Sequence, residues 1–254
     1  MAKLGDKYMV EIGEVIETED GNLYRIKGFN SLVFDQNGLN KLEKAQEPTG
    51  EVPEIIKGFA ELARLLSEGA EIHAGQKVDC ETPDGQKTEW VVIETRPEVF
   101  GEGKAIVAQR TVNRYDAFSY VSKDHPWGYN DYAVSKARDI LKREYPEGMK
   151  AEDLAVVEPR HLKEIGAEKD LFWLLHEDEV DGENAYEWFQ DEEHRQMTDW
   201  EGDECYWFLR GPYPSYAYYV RSVFTDGSLD SYGANYAIGF VAACIICYQD
   251  ILPA

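Results

Sequence analysis

Several groups of residues in this chain have the types and spacing that chemistry uses. Cys244-Ile-Ile-Cys247 has the C-x-x-C spacing of redox and metal sites. Asp199, Glu201 and Asp203 stand at i, i+2 and i+4 around Gly202, as oxygen ligands alternate in calcium loops. The histidines (His73, His125, His161, His176 and His194) are scattered and form no H-E-x-x-H or H-x-x-x-H pair. Eight of the 16 tyrosines crowd into residues 206–248, where they would make contacts rather than react.

Each chemical reading meets a plainer one. The two cysteines sit in Phe240-Val-Ala-Ala-Cys-Ile-Ile-Cys247, an apolar run that reads as a buried strand. Strand residues three apart point to opposite faces and cannot share an ion, so these thiols are expected to be structural. The acidic triplet belongs to residues 177–204, which hold 13 carboxylates and one arginine, Arg195. That segment is either a cation site or a solvated face, and it lacks the full twelve-residue calcium loop with its closing Glu. Asp/Glu pairs are too frequent here to single out an acid–base couple. There is no G-x-S-x-G, phosphate-binding Gly-Lys loop or dinucleotide fingerprint. No catalytic residue, metal or cofactor is therefore expected.

The elements that must position these groups follow from composition and pattern. The 254 residues carry 26 basic against 49 acidic side chains, a net −23, with 43% hydrophobic residues. That is enough for a real core, and it argues against phosphate recognition, adsorption to anionic membrane and disorder. No apolar run is long enough to span a bilayer, and Met1-Ala-Lys-Leu-Gly-Asp6 opens no signal peptide.

Apolar runs at Tyr8–Ile12, Leu23–Ile26 and Leu32–Phe34 predict a small β-rich domain over residues 1–47. Pro48, Gly50 and Pro53 mark a linker, and Ile55, Ile56, Phe59, Leu62, Ala63 and Leu66 predict a helix closed by Gly69. Linker and helix together make residues 48–69. The remainder, 70–254, is read as one α+β domain. It has a hairpin over 76–95 turning at Pro83-Asp-Gly85 and a strand at Ala105–Ala108. A helix over Tyr132–Tyr145 stopped by Pro146 follows, then a short helix over Pro159–Ile165 and a buried element at Leu171–Leu175.

Within 206–248 the tyrosines are Tyr206, Tyr213, Tyr216, Tyr218, Tyr219, Tyr232, Tyr236 and Tyr248, interleaved with Ser, Gly, Ala, Asn and Asp. This is the composition of antibody-like contact surfaces, where Tyr supplies rigid amphipathic area and small polar residues adapt around it. Core packing accounts for Trp207 and Phe208. It accounts poorly for Ser215–Tyr219 and Asp230–Tyr236, which show neither strand nor helix periodicity and flank a Thr225-Asp-Gly-Ser turn. Residues 211–248 also contain no Lys, Glu, Gln, Met or Trp. These types occur 63 times in the other 216 positions, so about eleven would fall here at that frequency. They are also the residues that no codon ending in a pyrimidine specifies. Poor strand propensity explains part of the depletion. Complete absence points to a restricted codon set.

Trp207-Phe-Leu-Arg-Gly-Pro-Tyr-Pro-Ser215, Val220-Arg-Ser-Val223, Thr225-Asp-Gly-Ser-Leu229 and Gly239-Phe-Val-Ala-Ala-Cys244 together resemble a family of phage and prophage domains. Members of that family carry W-L-R-S-P, D-G-S-L and G-V-x-A motifs. The resemblance implies a C-type-lectin-like fold and, for some members, variable proteins of diversity-generating retroelements, in which AAY codons are randomised. It implies a variable segment 211–248 whose ligand-binding positions are Tyr216, Tyr218, Tyr219, Ser222, Phe224, Asp230, Ser231, Tyr232, Gly233, Asn235, Tyr236 and Ile238. Trp207, Leu209, Val220, Val223, Leu229, Val241 and Ile245 would be the fixed core. The chain departs from the pattern at Gly211, where Ser is expected, and at Phe240, where Val is; Phe240 is either variable or core.

What the resemblance implies is a receptor-binding protein of a phage or prophage, located on the virion tail, or in the host cytoplasm before assembly. Its expected partners are a host-cell surface receptor, in the first place a protein, other virion tail proteins, and a second copy of itself. Residues 1–47 would attach it or help it oligomerise. Neither nucleic acid nor membrane insertion is expected. Two other readings stay open. One is a non-diversified structural virion protein of the same fold. The other is an enzyme related to formylglycine-generating proteins, for which only Cys205 would be available.

Overall fold

The computed structural model describes residues 52–248 and, before them, three short strands. The chain divides into two units, Met1–Glu51 and Val52–Ala254. In the first, β1 (Val15–Glu17), β2 (Leu23–Arg25) and β3 (Glu43–Lys44) form an antiparallel sheet with β2 in the middle. β2 covers the apolar run that begins at Leu23. The runs at 8–12 and 32–34 lie outside the described residues.

The second unit begins with β4 (Ile55–Lys57), α1 (Phe59–Ser67), β5 (Lys77–Glu81), β6 (Lys87–Glu94), α2 (Pro97–Phe100) and β7 (Lys104–Gln109). It continues with β8 (Thr111–Val112), β9 (Tyr115–Ala117), α3 (Lys136–Glu147), α4 (Ala151–Leu154), β10 (Val157–Glu158), β11 (Arg160–His161) and β12 (Lys169–Asp170). Then come β13 (Trp173–Leu174), α5 (Glu177–Val180), β14 (Met197–Asp199) and β15 (Glu204–Cys205). It ends with β16 (Trp207–Pro212), β17 (Tyr219–Val223), β18 (Leu229–Gly233), β19 (Ala237–Phe240) and β20 (Ala242–Cys247). The class is α+β, rich in sheet and sparing in helix.

Two sheets carry the architecture. The larger runs β10-β20-β7-β6-β5-β4, with β13 also paired to β20. All six residues of β20 are buried, as an apolar strand in the middle of a covered sheet must be. Cys244 and Cys247 are therefore core side chains, three residues apart on an extended strand. The second sheet runs β18-β17-β16-β19-β9 and holds most of the tyrosine-rich segment. Trp207, Leu209, Val220, Val223 and Val241 are fully buried, and Leu229 is partly so.

Local signals explain most elements. The β5–β6 hairpin turns where Thr82 N–H donates to the Gln86 carbonyl at 2.8 Å and Gly85 takes φ 85°, a conformation glycine adopts freely. α3 starts where the Ser135 hydroxyl accepts from Arg138 N–H at 3.0 Å; it is not stopped by Pro146 but runs through it to Glu147, and Gly148 closes it. Before it, Tyr132–Val134 forms a separate 3-10 turn capped by Asp131.

Three expectations are corrected. Ile55 and Ile56 lie in β4, parallel to β5, because Gly58 at φ 90° breaks the chain before the helix starts. The expected helix is present as α1, but it belongs to the second unit rather than standing outside a domain that begins at residue 70: Phe59, Leu62, Ala63 and Leu65 are buried there, and Asp153 Oδ1 caps it by accepting from Ala60 N–H at 2.9 Å. Residues 159–165 form β11 and a 3-10 turn at Lys163–Ile165 rather than one helix.

Candidate ligand-binding surface

β17 and β18 form a hairpin whose turn is held by Phe224 N–H donating to the Ser228 carbonyl at 2.9 Å. Asp226 Oδ1 accepts from the Ser228 backbone N–H at 3.0 Å and its hydroxyl at 2.6 Å, and these bonds hold the Asp226 carboxyl below its usual range. In the register Tyr219 faces Gly233, and Val220 faces Tyr232. Cross-strand partners share a face and neighbours alternate, so Tyr219 and Tyr232 leave opposite faces of this ladder.

The aromatic side chains accordingly form two groups. Tyr216 stacks on Tyr213 with ring centroids 6.1 Å apart, and lies 5.9 Å from both Tyr218 and Tyr219. The Arg221 guanidinium covers the Tyr213 ring at 5.1 Å. In the second group Tyr232 lies 5.7 Å from Tyr206 and 5.2 Å from Tyr236, and Phe224 meets Tyr206 edge-on at 4.8 Å.

The twelve expected positions separate by exposure. Tyr216 and Tyr236 are each 53% exposed, and Tyr218 and Asp230 are exposed as well. Tyr219, Phe224, Ser231, Tyr232 and Asn235 are half-buried. Ser222 is 0% and Ile238 5% exposed, and Gly233 is buried. A Cβ at Gly233 would stand 2.8 Å from the Tyr236 ring. These last three are interior positions, because the sheet buries Ser222 on β17, the backbone of Gly233 at the end of β18 and Ile238 on β19, none of which the sequence pattern alone reveals as strand-buried. Asp230–Gly233 lies within a regular strand rather than a loop. Phe240 is core, fully buried and 6.2 Å from Phe208.

Beside the segment lies a stretch the tyrosine pattern does not reveal. Ser119 N–H donates to the Ala234 carbonyl at 3.0 Å, and Asn130 N–H to the Ala217 carbonyl at 2.9 Å. This brings residues 119–130 against both tyrosine loops, with Trp127 at 56% exposure and Tyr120 and Tyr129 also exposed. The signal available in sequence was a large aromatic set between Pro126 and Gly128, residues that favour turns.

The other candidates are accounted for structurally. Asp199 Oδ1 accepts from the Glu201 and Asp203 N–H groups at 2.9 and 3.1 Å, so this carboxylate closes a turn. Among the described residues no group of His, Cys, Asp and Glu is arranged to hold a metal ion. Cys205 is buried beside Tyr115 and Met197, and burial pushes its thiol up, away from the thiolate a nucleophile needs. Burial pushes Cys80 and Cys244 up likewise. No helix among the described residues is long and apolar enough to cross a membrane.

The fold and surface define an α+β domain whose C-terminal hairpin displays aromatic side chains on a buried scaffold. The chain belongs to the family described as a domain of unknown function, DUF6273, whose model matches residues 102–247, more than half its length. No curated protein and no solved structure matches it.

Proposed function

We propose that this protein is a ligand-binding protein of a phage or prophage, with its tyrosine-rich C-terminal segment displayed on a C-type-lectin-like scaffold and diversified by a retroelement. The observation that carries the reading is the coincidence of two properties in one segment. Residues 211–248 lack every residue type that needs a purine-ended codon, and Tyr216, Tyr218 and Tyr236 stand exposed there. Loops on a rigid sheet are where binding residues can vary at little cost in stability. Tyr216, Tyr218 and Tyr236 are the principal anchors, and Tyr219, Phe224 and Tyr232 support them. Asp230, Ser231 and Asn235 supply polar contacts. The ligand is a host-cell surface receptor, in the first place a protein; other tail proteins and a second copy are further partners, and the site of action is the virion tail.

The test is adhesion to host cells by the protein with Tyr216, Tyr218 and Tyr236 all changed to Ala. Loss of adhesion by more than tenfold with an unchanged melting temperature is expected. Undiminished adhesion overturns the reading. A second reading, a non-diversified structural virion protein of the same fold, draws on the burial of Ser222, Gly233 and Ile238. It predicts that the triple variant assembles and adheres normally.

A further inference from the structure

Asn130 stands outside the tyrosine-rich segment, yet its side-chain amide reaches into the 213–219 loop. Nδ2 donates to the carbonyls of Tyr219, Tyr216 and Tyr213 at 2.9, 3.1 and 3.2 Å, and the Asn130 backbone N–H takes the carbonyl of Ala217. The Tyr218 carbonyl accepts from Ala234 N–H at 2.9 Å. Tyr213 N–H donates to the Tyr219 carbonyl at 3.0 Å, and Tyr219 N–H to the Tyr216 carbonyl at 3.1 Å. Every carbonyl from Tyr216 to Tyr219 is thus partnered by main chain or by Asn130.

We infer that Asn130 is the positioning residue that fixes the shape of the 213–219 loop independently of the side chains at positions 216, 218 and 219. This rests on the reading of those side chains as a variable contact surface. A loop held by its own side chains changes shape when they change. A loop held by its carbonyls keeps its shape, because every residue carries the same carbonyl. Asparagine suits the position. Its amide offers two protons on one nitrogen, enough to be shared among three acceptors, and carries no charge that would need a partner. One side chain outside the segment therefore stabilises a single loop conformation for many side-chain combinations.

Amide hydrogen exchange tests this with no ligand. In Asn130→Ala, exchange at the Tyr213, Tyr219 and Ala234 amides is expected to accelerate by about tenfold or more, the worth of a lost hydrogen bond, while the β7 and β20 amides are unchanged. Changing Tyr216, Tyr218 and Tyr219 together to Ser leaves those three amides within about threefold of the parent, and Asn130→Ala then has the same effect in that background. Asn130→Asp, which keeps the volume but removes the donors, behaves like Asn130→Ala. Unchanged exchange in both Asn130 variants overturns the inference. So does acceleration in the serine variant equal to that in Asn130→Ala, which would make the rings the loop's support. Loss of protection throughout the domain in both Asn130 variants also overturns it, placing the residue in the fold at large. An adhesion failure with the loop behaving as expected would count against the functional reading alone.

Discussion

Glu177 occupies the space that a side chain at position 211 would need. A Cβ built on Gly211 would stand 1.7 Å from Glu177 Oε2, while Oε1 lies 3.7 Å from Arg221 Nε. A larger residue at position 211 would therefore have to displace the Glu177 side chain. The obstructing atom is the end of a flexible, partly exposed side chain, so it can move.

Gly211→Ser is accordingly expected to cost only about 1 kcal/mol or less, chiefly the weak pairing of Glu177 with Arg221. In a Glu177→Ala background the same substitution should be close to neutral. Urea unfolding of the two single variants and the double variant measures the coupling.

Arg210 and Glu179 form a buried pair, with Nη1 and Nη2 donating to the two carboxylate oxygens at 2.6 and 3.0 Å. Arg160 and the Tyr186 hydroxyl reach Glu179 Oε1 at 2.8 and 2.9 Å. Burial alone would push this carboxyl up, but Arg210 and its neighbours overrule it and hold the group down at about 2. The folded value lies below the ordinary 4.5, so the stability this pairing contributes is complete above about pH 5. It is lost as the pH falls from there toward about 2. Glu179→Gln should remove that part of the acid dependence and cost about 3–5 kcal/mol at neutral pH, read from urea midpoints across pH.

Exposure separates residues that the sequence grouped together. Tyr216→Ser and Tyr236→Ser should each change stability by no more than about 0.5 kcal/mol. Ile238→Ala, at a buried position, should cost about 2–4 kcal/mol. Thermal unfolding of the three variants checks the ranking.

Cys80, Cys205, Cys244 and Cys247 are all buried. In the native protein they should react with a thiol reagent only at the rate of unfolding, and all four should react at once in denaturant. Rapid labelling of Cys205 in the folded protein would revive the enzymatic reading.

How legible these features were in sequence depended on how local their causes are. Pro83-Asp-Gly85 marks its hairpin, because turn formation involves residues a few positions apart. The helix expected from Tyr132 begins only at Lys136, since the Ser135 cap separates it from the preceding 3-10 turn, which shares its apolar spacing. Ile55 and Ile56 extend the periodicity of the helical stripe that follows them, so the sequence alone favours a helix; only the distant partner β5 makes them a strand. The interior place of Ser222 and Ile238 depends on strand pairing across the second sheet. The aromatic character of the surface was visible in the tyrosine count. The placing of residues 119–130 beside the segment, and the hold of Asn130 on the loop, arise from hydrogen bonds between residues 83 or more positions apart, which no local pattern encodes.

The central claim, that the tyrosine-rich segment is a diversified contact surface, is tested most directly by sequencing the DNA that encodes residues 206–248 and the region downstream. Tyr, Phe, Asp and Asn codons end in a pyrimidine whatever their origin, so the informative codons are those of Ser222, Ser231, Gly233 and Ile238. The account predicts a pyrimidine third base at all four, and a near-identical downstream repeat carrying AAC or AAT at the diversified positions. A purine at any of the four, with no such repeat, would contradict it.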